Sequence, residues 1–375
     1  MSQTHALLAA GLISSALLIS GCQEKAEAPT TPAVAATSSV AAITVPTPAP
    51  SEQFIGEPLV TNIYTADPSA HVFNGKLYIY PSHDIEAGIT MSDSGDHFAM
   101  RDYHVLSMDD VGGPVTDNGV AMDISDIPWA GRQLWAPDAA EKDGTYYLYF
   151  PVKDKTDIFR MGVATSDSPT GPFKPEAEPI KNSFSIDPSV FKDDDGAYYM
   201  YFGGIWGGQL QNWTTGTYNA KDVYPASDEP ALRPKIARMS DDMLQFAEEP
   251  KDIVLLDGGG VPLLGTDNNR RFFEAAWVHK YNGKYYFSYS TGDTHYIAYG
   301  IGDSPYGPFT YKGVVLTPVL GWTNHHSIVE FNGKWYLFYH DSSLSGGQTH
   351  LRSVKMTELK YNEDGTIQTI DAYLD

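Results

Sequence analysis

The chain has 375 residues, with 47 acidic against 25 basic side chains and a net charge of −22. This balance argues against nucleic acid and anionic membrane surfaces as partners, because both are bound mainly through Lys and Arg. A content of 24 Tyr, 34 Gly and 25 Pro indicates many short strands and turns. Little helix is expected, since no long stretch repeats its apolar residues every 3.6 positions.

Residues 1–22 are predicted to be an export signal. The apolar run at residues 6–19 is too short for a comfortable membrane span and leads to Ile19-Ser20-Gly21-Cys22. This ending resembles a bacterial lipoprotein signal, whose cysteine is lipidated, although the first 21 residues contain no Lys or Arg. We therefore expect an exported protein, periplasmic or an outer-membrane lipoprotein, that meets the membrane only through a lipid anchor. If Cys22 is not lipidated, ordinary secretion is the alternative.

Residues 23–53 are rich in Ala, Pro, Thr, Ser and Glu and are predicted to be a flexible linker, because such a composition cannot bury a core. The folded domain is expected to cover residues 54–375.

Within this domain the same hairpin pattern occurs five times. Each copy has Asn-Gly or Asp-Gly, the turn chemistry that favours positive φ at both central residues, followed by alternating aromatic residues typical of a strand with one packed face. The turn pairs are Asn74-Gly75, Asp143-Gly144, Asp195-Gly196, Asn282-Gly283 and Asn332-Gly333.

The turn glycines are separated by 69, 52, 87 and 50 residues. A unit of about 50 residues with insertions is the size of a four-stranded propeller blade. Five such units predict an all-β, five-bladed β-propeller, expected to be a monomer. Two tandem β-sandwiches are the alternative, but they do not explain a repeat that stays in phase.

In a propeller the first strand of each blade lines the central channel. Counting back eight or nine residues from each turn glycine gives one equivalent position per blade, occupied by Asp67, Ala136, Asp187, Glu274 and His325. Three carboxylates converging on one channel mouth are costly unless they have a function. This pattern predicts an active site at that mouth.

Two carboxyl groups of different proton affinity can hydrolyse a glycosidic bond, one activating water and the other protonating the leaving oxygen. Glu274, flanked by Phe273 and Ala275, is the best candidate for the acid, because apolar surroundings keep a carboxyl group protonated. Asp67 and Asp187 are then the base and a helper, and their spacing does not distinguish the two roles.

These motifs resemble glycoside hydrolase family 43, whose members are five-bladed propellers that remove xylose or arabinose with inversion. The resemblance covers residues 62–365. It is carried by Ala66-Asp67-Pro68-Ser69, Leu134-Trp135-Ala136-Pro137-Asp138, Ser185-Ile186-Asp187-Pro188-Ser189, Phe273-Glu274-Ala275-Ala276-Trp277 and His325-His326-Ser327-Ile328-Val329-Glu330.

The resemblance implies that Asp67 is the general base, that Asp187 tunes the acid and orients the sugar, and that Glu274 is the general acid. It also implies that His325 helps to hold a structural calcium ion in the channel, mostly through water. Because calcium prefers oxygen ligands, a metal-free core histidine is the alternative, and a bulge would turn His326 inward instead.

Two further residues are candidate sugar contacts. Trp135 is predicted to stack on a sugar, with an ordinary core aromatic residue as the alternative, and Arg352 is predicted to reach a sugar hydroxyl unless it lies at the surface. The insertion at residues 205–235 carries Trp206, Trp213 and Tyr218 and is expected to wall one side of the pocket, which favours attack at chain ends.

The expected function is therefore hydrolysis of plant cell-wall oligosaccharides from xylan, arabinoxylan or arabinan, by a β-xylosidase or an α-L-arabinofuranosidase. A non-catalytic sugar-binding propeller of a surface glycan-uptake system, an endo-acting arabinanase and a protein-interaction propeller are the alternatives.

Overall fold

The computed structural model describes residues 53–374, which form five mainly antiparallel sheets of three to five strands and one two-stranded sheet. The predicted export signal and residues 23–52 of the predicted linker lie outside these described residues. Helix in the described part is limited to three short 3-10 segments, Ile124–Asp126, Trp206–Gly208 and Leu210–Trp213. None of the helices in residues 53–374 has the length and apolar character to cross a membrane.

The strands follow the five predicted units. The chain begins with β1 (Gln53–Phe54). Blade 1 contains β2 (Tyr64–Phe73), β3 (Lys76–Asp84), β4 (Asp102–Met108) and β5 (Thr116–Asp123). Blade 2 contains β6 (Ala130–Leu134), β7 (Asp138–Lys142), β8 (Thr145–Asp154), β9 (Phe159–Ser166) and β10 (Lys174–Pro175). Blade 3 contains β11 (Ser189–Lys192), β12 (Tyr198–Phe202), β13 (Lys235–Arg238) and β14 (Lys251–Asp252).

The last two blades complete the ring. Blade 4 contains β15 (Leu255–Leu256), β16 (Phe272–Tyr281), β17 (Lys284–Thr291), β18 (Ile297–Gly302) and β19 (Phe309–Leu316). Blade 5 contains β20 (His326–Phe331), β21 (Lys334–Asp341) and β22 (Ser353–Leu359). The final strand is β23 (Tyr373–Leu374), which pairs with β1.

The inner strands close a circle around one axis. β2 contacts β7, β7 contacts β11, β11 contacts β16, β16 contacts β20, and β20 returns to β2. The start of blade 1 also joins blade 5, because Leu59 N–H, ahead of β2, donates to Val354 O (2.8 Å) and Thr65 N–H of β2 donates to Arg352 O (2.9 Å). The predicted five-bladed β-propeller is confirmed.

The core lies between neighbouring blades and is rich in aromatic residues. Tyr80 of blade 1 shares a buried cluster with Phe150 of blade 2, and Tyr201 of blade 3 shares one with Phe287 of blade 4. These large side chains bury much apolar area with few rotatable bonds. The alternating aromatics of each hairpin therefore hold adjacent blades, and through them the channel mouth, in fixed positions.

Four of the five hairpin turns have the expected backbone. Asn74 and Gly75, for example, have φ of 52° and 75°, and the turns at residues 143–144, 282–283 and 332–333 match them. The third turn was predicted wrongly. Its loop spans five residues, Gly196 N–H donates to Asp193 O (2.9 Å), and only Gly196 of the Asp195-Gly196 pair has positive φ.

Asp193 explains this difference. Its carboxylate accepts from Lys280 Nζ (2.9 Å) and from the Tyr285 hydroxyl (2.6 Å), both in blade 4. The longer loop thus lets acidic side chains tie blade 3 to blade 4, since the exposed Asp194 also accepts from Lys280 Nζ (2.6 Å).

Candidate active site

The predicted strand heads converge at one mouth of the channel. Asp67 lies on β2 and Glu274 on β16, whereas Asp187 and His325 lie just before β11 and β20. His325 Nδ1 is 3.7 Å from Asp67 Oδ1 and 3.9 Å from Asp187 Oδ2. Asp187 Oδ2 also accepts the Ala275 N–H (2.8 Å), which places it beside Glu274. Four blades therefore deliver their predicted side chains to one site.

Irregular backbone aims these side chains. Asp67, Asp187 and Ala275 all have left-handed φ, at 48°, 58° and 61°. The β2–β3 and β16–β17 ladders shift register at Asp67 and at Glu274, where residues bulge out of the pairing. Such conformations are costly for residues other than glycine, and they cluster where a side chain must hold a defined direction.

Asp67 is held as a carboxylate. Its Oδ1 accepts from Arg352 Nη1 (2.7 Å) and its Oδ2 from the Ser82 hydroxyl (2.7 Å). Burial would raise the pKa of Asp67, but the charge of Arg352, followed by His340 and His325, lowers it to about 2. Asp67 is therefore ionised throughout the neutral range and suits the abstraction of a proton from water.

His340 fixes the backbone of the same residue. Asp67 N–H donates to His340 Nδ1 (3.0 Å), so the imidazole proton must reside on Nε2. That nitrogen lies 3.1 Å from the carbonyl oxygen and 3.0 Å from the hydroxyl of Thr323. Burial lowers the pKa of His340 to about 3, and the neutral ring keeps this tautomer.

Arg352 is a buried partner of the carboxylates, so the surface alternative is wrong. Its guanidinium donates to both oxygens of Asp84 (2.8 Å each), to Asp67 and to the Thr323 hydroxyl (3.1 Å). These contacts use four of the five N–H donors of an arginine. The predicted sugar contact would have to use the one remaining N–H donor. The main role that these contacts indicate for Arg352 is to hold Asp67 in place.

Glu274 and Asp187 form the second part of the site. Glu274 is half-buried, while Phe272, Phe273 and Ala276 around it are buried. Burial, reinforced by the negative charge of Asp67 and partly offset by Arg352, raises the pKa of Glu274 to about 8. Burial and the charges of Glu274 and Asp67 also raise the pKa of Asp187 well above its usual value. The pair therefore retains a proton at neutral pH.

The two raised pKa values leave open which carboxyl carries this proton, and the hydrogen bonds favour Glu274. Asp187 accepts a backbone N–H from Ala275, which stabilises its charged form. Glu274 is packed against Gly204, where an added Cβ would lie 3.3 Å from the Glu274 Cβ. The arrangement thus separates an ionised Asp67 from a protonated Glu274, the difference that acid and base catalysis requires.

Trp135 lies in a buried cluster with Phe98, Met100, Phe159 and Ile186. It is 8% exposed, and its indole N–H donates to Phe98 O (2.8 Å). The structure therefore shows the core aromatic residue that was the alternative.

Two other tryptophans lie near Phe273, the neighbour of Glu274 in the chain. Trp206 and Trp322 stack with ring centroids 5.5 Å apart and an interplanar angle of 12°, and Trp206 meets the edge of Phe273 at 5.3 Å. Both tryptophans are partly exposed. Trp206 belongs to the predicted insertion, whereas Trp213 packs on Phe184 at 4.8 Å instead.

A groove of about 400 Å³ continues from Trp206 between the insertion and loops of blades 1 and 2. Its lining is mostly polar and includes Asp93, Asp157, Asp222 and Tyr224. The insertion is held there by Gln209, whose side chain bonds the backbone at Asp157 (2.9 Å). The insertion thus forms one side of this polar groove, whose lining does not include Asp67, Asp187 or Glu274.

Sequence reasoning missed Ser82, Asp84 and His340, which all lie at the ends of second strands. In an antiparallel hairpin the end of the second strand meets the head of the first. Aligning the five second strands would have shown a polar residue at the Ser82 position in blades 1, 4 and 5 as Ser82, Ser290 and His340, but not in blades 2 and 3. Trp322 had no such signal, because it lies in an irregular loop.

Comparison with known protein families identifies the family to which this chain belongs. Residues 57–367 match Glycosyl hydrolases family 43. The chain belongs to this family. It is 62% identical over 314 residues to a xylosidase/arabinosidase of Bacteroides ovatus, covering 84% of this chain and 97% of that protein. It is 63% identical over 321 residues to xylosidase/arabinosidase 43A of Humicola insolens, covering 83% and 98%.

Solved structures agree with this assignment. A family 43 β-xylosidase/α-arabinofuranosidase from a compost microbial metagenome, determined with xylotriose in a calcium-free form, superposes with a TM-score of 0.84 and 72% identity. The match covers 86% of this chain and all of that one. A family 43 enzyme from Xanthomonas citri in complex with xylotriose has a TM-score of 0.82 and 57% identity, covering 85% and 94%. The family 43 chain described here is a glycoside hydrolase.

Proposed function

We propose that this family 43 enzyme releases single xylose or arabinofuranose residues from the ends of xylan- and arabinoxylan-derived oligosaccharides, with inversion at the anomeric carbon. The observation that carries the proposal is the convergence of two differently surrounded carboxyl groups at one mouth, with Asp67 bonded to Arg352 and Ser82 and Glu274 set among buried apolar side chains. The names of the similar proteins support the pentose, since three of them are called xylosidases or xylosidase/arabinosidases.

In this mechanism Asp67 accepts a proton from a water molecule, whose oxygen attacks the anomeric carbon. Glu274 donates its proton to the glycosidic oxygen as the bond to the leaving sugar breaks. Asp187 remains a carboxylate beside Glu274, supports its raised pKa and faces the bound sugar. Arg352 and His340 keep Asp67 charged and oriented, so that little reorganisation is needed during the reaction.

Trp206 and Trp322 are proposed as the aromatic platform for the sugar. A pentose ring presents apolar C–H faces, which pack well on an indole, while its hydroxyls remain free for polar partners. The polar groove beyond Trp206 would then hold the rest of the oligosaccharide.

His325 is proposed to contact a calcium ion. Burial lowers the pKa of His325 to about 4, so the ring is neutral at physiological pH and has a free lone pair for a cation. Calcium takes six to eight ligands, mostly oxygen, so water would have to supply most of them, and the described residues fit only such water-mediated binding. A bound calcium would add positive charge near Asp67 and Asp187 and steady the imidazole between them.

A substrate panel tests the proposed specificity. Purified enzyme is expected to cleave nitrophenyl β-D-xyloside and nitrophenyl α-L-arabinofuranoside, and to release xylose from xylotriose one unit at a time. A rapid fall in the viscosity of linear arabinan would instead identify an endo-acting enzyme. Stable sugar binding in a calorimeter with no product after hours would identify the non-catalytic alternative.

The pH profile is a second expected result. Glu274 must be protonated to act as the acid, so kcat/KM should be full below its pKa and fall as the pH rises through about 8. Asp67 must be ionised, and its pKa of about 2 places the acid limb below the range in which most proteins stay folded. Measuring kcat/KM on xylobiose from pH 4 to pH 10 checks the basic limb and whether the activity stays level down to pH 4. A basic limb centred below pH 6 would contradict the assignment.

A further inference from the structure

A second cluster of titratable side chains lies on blade 1, outside the catalytic set. It consists of His83 on β3 and of Asp102 and His104 on β4. One ligand-capable atom from each of these residues lies within 4.8 Å of the other two, and they are the one such group of His, Cys, Asp or Glu within residues 53–374. The two imidazole rings meet edge to face with centroids 4.7 Å apart.

The strand pattern explains why the three side chains meet. Asp102 and His104 are two residues apart on β4 and so share one face of the sheet. β3 is the neighbouring strand, with Ser82 paired to Tyr103, which brings His83 to the same region. The rigid sheet thus places the cluster.

A carboxylate contacts each imidazole, Asp102 from within the cluster and Asp117 from outside it. His83 Nδ1 lies 2.5 Å from Asp102 Oδ1, and His104 Nδ1 lies 2.8 Å from Asp117 Oδ1. Asp117 is itself fixed, because it accepts the Gly119 N–H (2.9 Å) and the side-chain amide of Asn62 (3.2 Å). A carboxylate bound to one imidazole nitrogen while the other nitrogen points elsewhere is the usual support of a metal-binding histidine.

The surroundings suit a cation that enters from solvent. The side chains of His83, Asp102 and His104 are 18%, 22% and 11% exposed, so they are largely covered but still reachable. The carboxylates of Asp84, Asp102 and Asp117 all act electrostatically on His83. A net charge of −22 over the whole chain adds to the attraction.

We propose that His83, Asp102 and His104 bind a divalent transition-metal ion of the zinc class, with Asp117 holding His104 in place. Two imidazoles and one carboxylate are the ligands that zinc accepts, with water completing the shell, whereas calcium would require oxygen ligands. In a tetrahedral zinc site the ligand atoms lie roughly 3.3 Å apart. The three ligand-capable atoms here lie within 4.8 Å of one another, so small rotations of these partly exposed side chains would bring them to the zinc spacing.

The site has a direct structural link to the catalytic residues. β3 carries Ser82, which donates to Asp67, and Asp84, which holds Arg352 through two hydrogen bonds. His83 lies between them in the chain and points to the cluster. Metal bound there would fasten β3 to β4 next to the two residues that position Asp67, and is therefore expected to raise the thermal unfolding temperature.

Calorimetry with zinc chloride tests the proposal. The full chain is stripped with a chelator, and a His325→Ala background removes the residue proposed for calcium. One equivalent of zinc is expected to bind. Asp117→Asn should weaken binding by about 10–100-fold, as for other outer-shell residues, and His83→Asn and His104→Asn should weaken it at least as much. The matched control is His350→Asn, which removes a histidine of similar exposure (19%) that is bonded to Glu86 (2.9 Å), and this variant should bind zinc unchanged.

Cobalt(II) provides an independent readout. The intense visible absorption of four-coordinate cobalt is expected in the His325→Ala protein and should be lost in His83→Asn. Circular dichroism of the metal-free variants confirms that each remains folded. The proposal is overturned if zinc does not bind to the His325→Ala protein, or if binding is unchanged in both His83→Asn and His104→Asn.

Discussion

Replacing Glu274 by alanine is expected to lower kcat/KM on xylobiose by about 10²–10⁴-fold, the usual contribution of a positioned general acid. The proton of Glu274 is needed because a sugar alkoxide is a poor leaving group. Nitrophenolate leaves without protonation, so activity on an aryl xyloside should fall far less. The basic limb of the pH profile should disappear together with the acid.

Steady-state kinetics on the two substrates measures this difference. Glu358→Ala is the matched control, since Glu358 is a surface glutamate that bonds Lys334 (3.1 Å) and should change neither rate. An equal loss on both substrates would show that Glu274 acts in some way other than protonating the leaving oxygen. Far-ultraviolet circular dichroism verifies that the variant is folded.

Replacing Arg352 by methionine is expected to affect both stability and catalysis. Arg352 is 3% exposed and neutralises two buried carboxylates, Asp67 and Asp84. Removing one partner of a buried ion pair leaves uncompensated charge and costs about 3–5 kcal/mol. The pKa of Asp67 should rise because its largest favourable interaction is lost, so the acid limb should move upward. The basic limb should also move upward, because Arg352 lowers the pKa of Glu274.

Urea unfolding and the pH profile of kcat/KM measure the two effects separately. Arg132→Met is the control, because Arg132 also binds two aspartates, Asp96 and Asp157, but its side chain is 43% exposed. A surface pair of this kind contributes at most about 1 kcal/mol. If Arg352→Met is no less stable than Arg132→Met, Arg352 is not the buried anchor that its contacts indicate.

The fold was predictable because each blade repeats the same local pattern. An Asn-Gly or Asp-Gly turn followed by alternating aromatics specifies a hairpin without reference to the rest of the chain, and five copies specify the ring. The prediction failed at residues 193–197, where a contact between blades decides the backbone. Lys280 and Tyr285 of blade 4 hold Asp193, and a pattern confined to one hairpin cannot show such a partner.

The candidate site, like the fold, was predictable only where its residues follow the repeat. Asp67, Asp187 and Glu274 could be found because they occupy one phase of the repeat. The burial of Arg352 and its pairing with Asp84 could not be predicted, because both depend on how blade 1 closes against blade 5. Trp206 could be predicted only as part of the insertion at residues 205–235, and Trp322 could not be predicted, because both belong to segments that break the repeat.

The stereochemistry of the first product tests the central claim most directly. Proton NMR is recorded within the first minutes of hydrolysis of a β-xyloside, before the released sugar mutarotates. If Asp67 activates water while Glu274 protonates the leaving oxygen, α-xylose should be the first product. Initial β-xylose would show net retention and contradict the assignment of Asp67 as a base acting on water.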